Sequence, residues 1–250
     1  MTDSPCRLLA WASAEQTERL RRVADVAAMS IVAVVPPAST GGSAIGLELG
    51  VAVRDDLRGA VRTDDYDAVL LLADDALTGD EQAALAACGR TVFATQPRPG
   101  SIADALADPA TARIAHFIPR FRRSPGFRLA AEARESFGDL RCVTVAARGH
   151  AADGGLLARL YDAMDVIDHL CGSAEMIDAA IAAESGDIPD TLGALHGHVT
   201  LNMRFADQRC AAVTASDRAG RWFRGITLLG DAGCLRIDDH GFEWIDARGD

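Results

Sequence analysis

The sequence predicts an α/β protein in two parts: an N-terminal domain with a parallel β-sheet, then an α+β domain with an open, mostly antiparallel sheet. In the first half, short apolar runs alternate with segments of helical periodicity, as in repeated βα units. In the second half, one long helical pattern precedes closely spaced runs of alternating polarity. The polar, proline-broken stretch Pro119–Pro125 separates the halves. The predicted domains are therefore residues 1–118 and 119–250.

The first half begins with a strand, a turn, a helix and a second strand, the order with which Rossmann-type nucleotide-binding domains begin. The continuous apolar run YDAVLLLADD indicates a central parallel strand buried on both faces. Gly89 marks the end of the helix Asp80–Cys88, and Ser101 caps a further helix through Leu106. A short helix is predicted from about Asp55. The other predicted strands are Arg7–Ala12, Ile31–Val35, Gly50–Val53 and TVFATQP.

The second half contains a long predicted helix, Leu156–Cys171, with Gly172 just past its end. A shorter helix is predicted over Phe127–Ser136, and a strand over LRCVTVAA. Later runs of alternating polarity are separated by turn residues, which is typical of an antiparallel meander with one packed face. These runs are HVTLNMRFA, RCAAVTAS, RGITLLG, CLRIDD and FEWID, giving a sheet of five or six strands in all.

Composition excludes several classes of function. The net charge of -11 argues against nucleic acid or an anionic membrane as a partner. All 25 basic residues are arginine, so lysine chemistry such as a Schiff base is excluded. The six cysteines are scattered, which favours reduced thiols and a cytoplasmic location, and no signal peptide or membrane-length apolar run is visible. His196 and His198 form a candidate metal pair. Asp165, Asp168 and His169 on the preceding helix are conceivable further ligands, but His169 does not share the face of the two aspartates, and no metal site is predicted.

Four segments follow one another in an informative order. They are GVAVRDDLRGAVRTDDYDAVLLLAD, PRFRRSP with ESFGDLRCVTV, GGLLARLYDAMDVIDHLCG, and LHGHVTLNMRFADQRCAAVTAS with GITLLGDAGCLRID. Their order and local pattern resemble the Gfo/Idh/MocA oxidoreductase family of sugar and inositol dehydrogenases. The resemblance implies a Rossmann-type domain that binds NAD(P), followed by a domain with a large open sheet. Compared with that family, the sequence is short at its C-terminal end.

The residues at the family's functional positions differ from the family pattern. The resemblance places the phosphate-loop glycines on Ala12, Ala14 and Thr17, where side chains obstruct the approach of backbone N–H groups to a pyrophosphate. It places the acid that holds the adenosine ribose on Pro36, and the catalytic lysine on Gln96. We therefore expect no cofactor in the usual mode.

The helix that carries the family's acid and histidine is also altered. Aligning the family's Ile-Asp pair with residues 167–168 places its aspartate on Tyr161 and its histidine on Asp165. A shift by one residue keeps an acid at Asp162 but puts Val166 in place of the histidine. Tyr161 and Asp165 are four residues apart and share a helix face, so they are candidates for proton transfer.

Two hypotheses about function remain open. The first is a Gfo/Idh/MocA-like protein that has lost hydride transfer and acts as a non-catalytic or accessory subunit. The second is an enzyme, either a divergent NAD(P)-dependent oxidoreductase of a sugar or cyclitol-like substrate, or a cofactor-free acid–base enzyme that uses Tyr161 and Asp165.

A dimer through the C-terminal sheet is also predicted, because the predicted helices suffice to cover one face only. The partner is a second copy or a related subunit. In HVTLNMRFA the apolar residues are Val199, Leu201, Met203 and Phe205, and the alternate polar set is His198, Thr200, Asn202 and Arg204.

Overall fold

The structure is a computed structural model that describes residues 5–38, 43–73, 75–96, 114–151, 154–183, 189 and 192–249. It divides into two compact units, which we call unit 1 (Met1–Ile118 with Thr191–Gly193) and unit 2 (Pro119–Asp190 with Ala194–Asp250). The helix predicted from Ser101 to Leu106 lies outside the described residues. In the described ranges, no helix is long and apolar enough to cross a membrane.

The predicted parallel sheet of unit 1 is confirmed. Its described strands are β1 (Arg7–Trp11), β2 (Ser30–Val35), β3 (Ala52–Val53), β4 (Ala68–Leu71), β5 (Thr91–Ala94) and β6 (His116–Phe117). They are all parallel, in the order β3-β2-β1-β4-β5-β6. Every residue of β4 is buried, as the continuous apolar run indicated. Strands β2 and β3 are added on one side of β1, and β4 to β6 on the other side, so the order of strands reverses between β1 and β4. Open α/β sheets bind ligands at such a switch point.

The helices of unit 1 have clear start and stop signals. Asp56 caps α3 by accepting from the N–H of Arg58 at 3.1 Å. Thr78 and Glu81 form a capping box at α4, and Gly89 follows that helix with φ +65°. The second helix was not predicted from the sequence. The described helices are α1 (Thr17–Val26), α2 (Ser43–Leu49), α3 (Leu57–Thr63) and α4 (Gly79–Ala87).

The predicted open, mostly antiparallel sheet of unit 2 is confirmed, but its strands do not form one continuous meander. Its described strands are β7 (Leu140–His150), β8 (Met176–Ala183), β9 (Gly197–Arg204), β10 (Cys210–Ser216), β11 (Arg218–Gly230), β12 (Gly233–Asp238) and β13 (Phe242–Asp246). Their order is β13-β12-β11-β7-β10-β9-β8. Only one residue separates β10 from β11, yet both pair with β7, β10 in parallel and β11 antiparallel. The chain passes over the end of β7, since that strand has pairing partners along both edges.

Two further elements of unit 2 differ from the sequence prediction. Strand β8 was missed because its alanine-rich sequence MIDAAIAA lacks alternation, and it lies exposed at the edge of the sheet. The helix predicted over Phe127–Ser136 is two short helices that meet at Ala130. The described helices of unit 2 are α5 (Pro125–Leu129), α6 (Ala131–Ser136) and α7 (Leu156–Cys171), the last with the predicted bounds.

The helices of unit 2 pack on one face of its sheet, which we call the covered face. Helix α7 lies against β7, β9 and β10, and α5 lies against β12 and β13. The predicted alternation in β9 is confirmed. The apolar set Val199, Leu201, Met203 and Phe205 is buried, and the set His198, Thr200, Asn202 and Arg204 is exposed on the opposite, open face.

Gly126 in α5 contacts the turn after β12, and its substitution tests how closely this helix packs there. Its N–H donates to the Asp239 carbonyl at 3.1 Å, and an added Cβ would lie 2.1 Å from the Asp238 carbonyl oxygen. Gly126→Ala should therefore lower the free energy of unfolding by about 1–3 kcal/mol through overpacking. Gly220→Ala is the matched control, because nothing lies within 4 Å of its added Cβ. Equal urea midpoints for the two variants would contradict this packing.

Candidate functional site

The turn between β1 and α1 occupies the position of a phosphate-binding loop. Ala12 is completely buried, so its methyl group forms part of the core. Ala14–Gln16 forms a single 3₁₀ turn, and the Thr17 hydroxyl donates to the Ala14 carbonyl at 2.6 Å. The three positions predicted to replace loop glycines therefore lie in this closed turn.

Gln16 connects this turn to the neighbouring strand across the switch point. Its side-chain oxygen accepts from the N–H of Ser13 at 3.1 Å, and its side-chain nitrogen donates to the Leu72 carbonyl, just after β4, at 2.9 Å. The N–H groups of Leu72 and Ala73 both donate to the Trp11 carbonyl. A backbone donor near the helix N-terminus, of the kind that binds phosphate in this fold, thus already has a partner in the chain. The residues present do not fit a dinucleotide bound in the usual mode.

The other two cofactor-related positions lie at neighbouring strand ends. Pro36 follows β2 directly and has no side-chain acceptor for ribose hydroxyls. Gln96 lies two residues beyond β5 and is buried. Its neutral amide is neither an acid nor a base at neutral pH, so it cannot transfer a proton as a lysine does.

Tyr161 and Asp165 both lie on α7, but they differ in their surroundings. Tyr161 is 50% exposed. Both carboxylate oxygens of Asp165 accept from Arg122, at 2.5 and 2.8 Å. Asp165 is therefore held in a bidentate ion pair, and protonation of its carboxylate would require the contact with Arg122 to break. Their use as an acid–base pair stays a prediction.

His169 lies beside this ion pair. Its Nδ1 is 3.5 Å from a guanidinium nitrogen of Arg122, and its ring packs against Phe127. Burial lowers the pKa of His169, and the positive charges of Arg122 and Arg134 lower it further. The imidazole is therefore held towards its neutral form, although Asp165 opposes the shift.

A buried cluster of charges in unit 2 is centred on Arg224, on β11. This guanidinium donates to Asp162 of α7 at 2.6 Å and to Asp239, after β12, at 2.7 Å. The other carboxylate oxygen of Asp162 accepts from the N–H of Phe121 at 2.9 Å, and that of Asp239 accepts from the indole of Trp222 at 2.8 Å. The guanidinium carbon also lies 4.7 Å from the centre of the Phe121 ring. These five residues form the arginine cluster.

Sequence reasoning missed both Gln16 and the arginine cluster. The signal for Gln16 was available, since Ser13 and Gln16 have the spacing of a capping box. Asp162 was considered only as an alternative alignment, although it precedes buried Val166 by one helical turn and so interrupts an apolar stripe. Nothing in the local sequence around Arg224 or Asp239 indicates that they meet, because they come from separate strand ends.

The proposed pairing of His196 with His198 on one strand face is wrong. Strand β9 begins at Gly197, so His196 precedes the strand and turns towards buried Asp217, whereas His198 lies exposed on the open face. Among the residues that the structure describes, no three His, Cys, Asp or Glu side chains group as metal ligands.

The chain has the fold of the Gfo/Idh/MocA oxidoreductases, which confirms the predicted resemblance at the level of fold. It is similar to the WlbA dehydrogenase of Bordetella pertussis, solved with NADH and UDP-GlcNAcA (TM-score 0.76, 17% identity, 98% of this chain and 78% of that chain). It is also similar to scyllo-inositol dehydrogenase of Lactobacillus casei (0.72, 20%, 95% and 76%) and to biliverdin reductase of Synechocystis, solved with biliverdin and NADP⁺ (0.73, 16%, 98% and 83%). No protein-family model and no curated protein matches the sequence.

Asp162→Ala tests whether the arginine cluster holds unit 2 together. The variant leaves the Phe121 N–H and one side of the Arg224 guanidinium without an acceptor in a buried site. We expect the free energy of unfolding to fall by about 3–5 kcal/mol. Asp231→Ala is the matched control, because it removes an exposed carboxylate paired with Arg141 and should leave the urea midpoint unchanged. A similar, small effect in both variants would contradict the assigned role.

Proposed function

We propose that this protein is a Gfo/Idh/MocA-like subunit that has lost NAD(P)-dependent hydride transfer and serves as a non-catalytic or accessory partner. The scattered cysteines support a cytoplasmic location for it. The fold supports a common origin with dehydrogenases, while the switch point supports the loss of the cofactor.

One observation carries this proposal: Gln16 bridges the Ser13 N–H and the Leu72 carbonyl across the switch point. A dinucleotide in the usual mode requires free backbone N–H groups and close approach at this turn. Here the side chain of Gln16 occupies the Ser13 N–H and connects the turn to the neighbouring strand. Pro36 and Gln96 also lack the groups that would hold the ribose and exchange a proton.

The alternative is a divergent NAD(P)-dependent oxidoreductase of a sugar or cyclitol-like substrate. It is favoured by similar structures that hold such a cofactor, because the WlbA dehydrogenase was solved with NADH and the biliverdin reductase with NADP⁺. A cofactor-free enzyme using Tyr161 and Asp165 has less support, because Asp165 is bound by Arg122.

Titration with NAD(H) and NADP(H) separates these functions. We expect no binding tighter than about 1 mM, which corresponds to about -4 kcal/mol, because the loop offers few free donors. Isothermal titration calorimetry and thermal shift are suitable measurements, with the WlbA dehydrogenase of Bordetella pertussis as the positive control. Micromolar NADH binding with a thermal shift would contradict the accessory-subunit proposal and favour the divergent NAD(P)-dependent oxidoreductase.

We also propose that unit 2 pairs through its open face, with a second copy or a related subunit. The centre of this face is made of small side chains, which allow a second sheet to approach closely. Phe223 and Leu229 are 45% and 41% exposed and supply apolar area. Charges of both signs also lie on this face, so two copies need not repel each other. They are Arg148, Arg204, Arg236, Asp178, Asp238 and Glu243.

Thr214→Arg tests a homodimer because Thr214 is exposed near the centre of the open face. We expect the wild type to be a dimer burying more than about 1,000 Å², and the variant to be a monomer with unchanged circular dichroism. Ser136→Arg is the matched control, since it adds the same side chain to an exposed position on α6. Met203→Asp is unsuitable, as Met203 is buried in the core. Light scattering that finds monomeric wild type at tens of micromolar would contradict the homodimer.

A further inference from the structure

Unit 2 contains an aspartate–histidine pair outside the arginine cluster. Asp217 follows β10, and its side chain is 0% exposed. Its Oδ2 lies 2.6 Å from Nδ1 of His196, and its Oδ1 accepts from the N–H of Gly197 at 2.8 Å. A buried carboxylate with these two contacts fixes the position of the imidazole and makes Nδ1 the nitrogen that carries the proton.

Gly197 permits this arrangement. Its φ is +129°, a value that favours glycine, and a Cβ there would lie 2.2 Å from the Ala182 carbonyl oxygen. The backbone can therefore turn at Gly197 while remaining paired with β8. This turn carries His196 out of the strand direction and towards Asp217.

The second ring nitrogen of His196 faces away from the carboxylate. The His196 side chain is 40% exposed, and in the described part of the chain its hydrogen bonding involves Nδ1 alone. With the proton on Nδ1, the neutral ring has a lone pair on Nε2. A half-exposed imidazole whose other nitrogen is bound to a buried carboxylate is the arrangement of a general base.

Arg218 adds positive charge next to this pair. Its Nε lies 3.8 Å from Oδ1 of Asp217, the oxygen that does not bind His196. The single buried carboxylate is therefore flanked by a guanidinium and an imidazole. The charge of Arg218 balances that of Asp217, so the neutral imidazole lies beside a paired carboxylate.

We propose that His196 is the catalytic base of a proton-transfer site for a small ligand that carries a hydroxyl group. The hydroxyl proton passes to Nε2, the electron pair stays on the ligand oxygen, and the reverse transfer restores the neutral imidazole. Asp217 is a positioning residue that fixes the orientation and the tautomer of the ring. This proposal does not depend on whether a dinucleotide binds, and it goes beyond the proposed function, because it makes the subunit an accessory one with a proton-transfer site of its own.

Hydrolysis of p-nitrophenyl acetate to acetate and p-nitrophenolate measures the reactivity of Nε2. We expect His196→Gln to lower kcat/KM by about tenfold or more, since imidazole bases contribute at least this much. His198→Gln is the matched control, because His198 is exposed two residues away and is not held by Asp217; it should change the rate less than about twofold. Thiols contribute the same background to all variants. A wild-type rate in His196→Gln would overturn the proposal.

The role of Asp217 has its own readout. Long-range ¹⁵N–¹H NMR correlations should show the proton of neutral His196 on Nδ1 in the wild type. Asp217→Asn should move it to Nε2 and lower kcat/KM, with unchanged circular dichroism, because the amide can donate to Nδ1. A proton on Nε2 in the wild type would refute the assigned geometry, and this measurement needs no variant to fold.

Discussion

The buried positive charge of Arg224 constrains most of unit 2. A guanidinium removed from water is stable only when carboxylates and polar contacts replace its hydration. The chain supplies Asp162 from α7 and Asp239 from the turn after β12. These two contacts connect the long helix to one side of the sheet, while Phe121 and Trp222 pack their rings on the guanidinium. The cluster thereby holds α7 on the covered face of the sheet.

In unit 1 too, polar groups removed from water need partners within the chain, and there the partners are neutral. Backbone donors at the start of a helix need acceptors, and a cofactor phosphate supplies them in dinucleotide-binding proteins. In this chain the side chain of Gln16 accepts from Ser13 and also donates to the neighbouring strand end. The sheet thus keeps its strand order and its switch point although the turn is closed. The fold depends on buried strands, whereas dinucleotide binding in such folds depends on a few unoccupied donors, so a sheet of this order does not by itself imply a bound cofactor.

Where sequence reasoning succeeded, the signal was local. The apolar run of β4, the bounds of α7 and the alternation along β9 each follow from periodicity within one element, and all are present as predicted. Sequence reasoning failed where an element depends on pairing with other strands and not on its own residue pattern. Strand β8 is an exposed edge with no alternation, so its pairing with β9 stabilises it more than its own composition does. The meander failed because adjacency along the chain was taken as adjacency in the sheet, whereas β7 lies between β10 and β11.

The sequence by itself determined the two-part architecture, the absence of glycine from the turn between β1 and α1, and the two-sided polarity of the second sheet, because these depend on residue type and spacing. Only the tertiary structure decided which polar side chains act together. Asp162 meets Arg224 across 62 residues, and His196 meets Asp217 across 21, by contacts between separate elements. A carboxylate acquires its role from the partner and the burial that folding gives it, and neither is encoded in the few residues on either side of it.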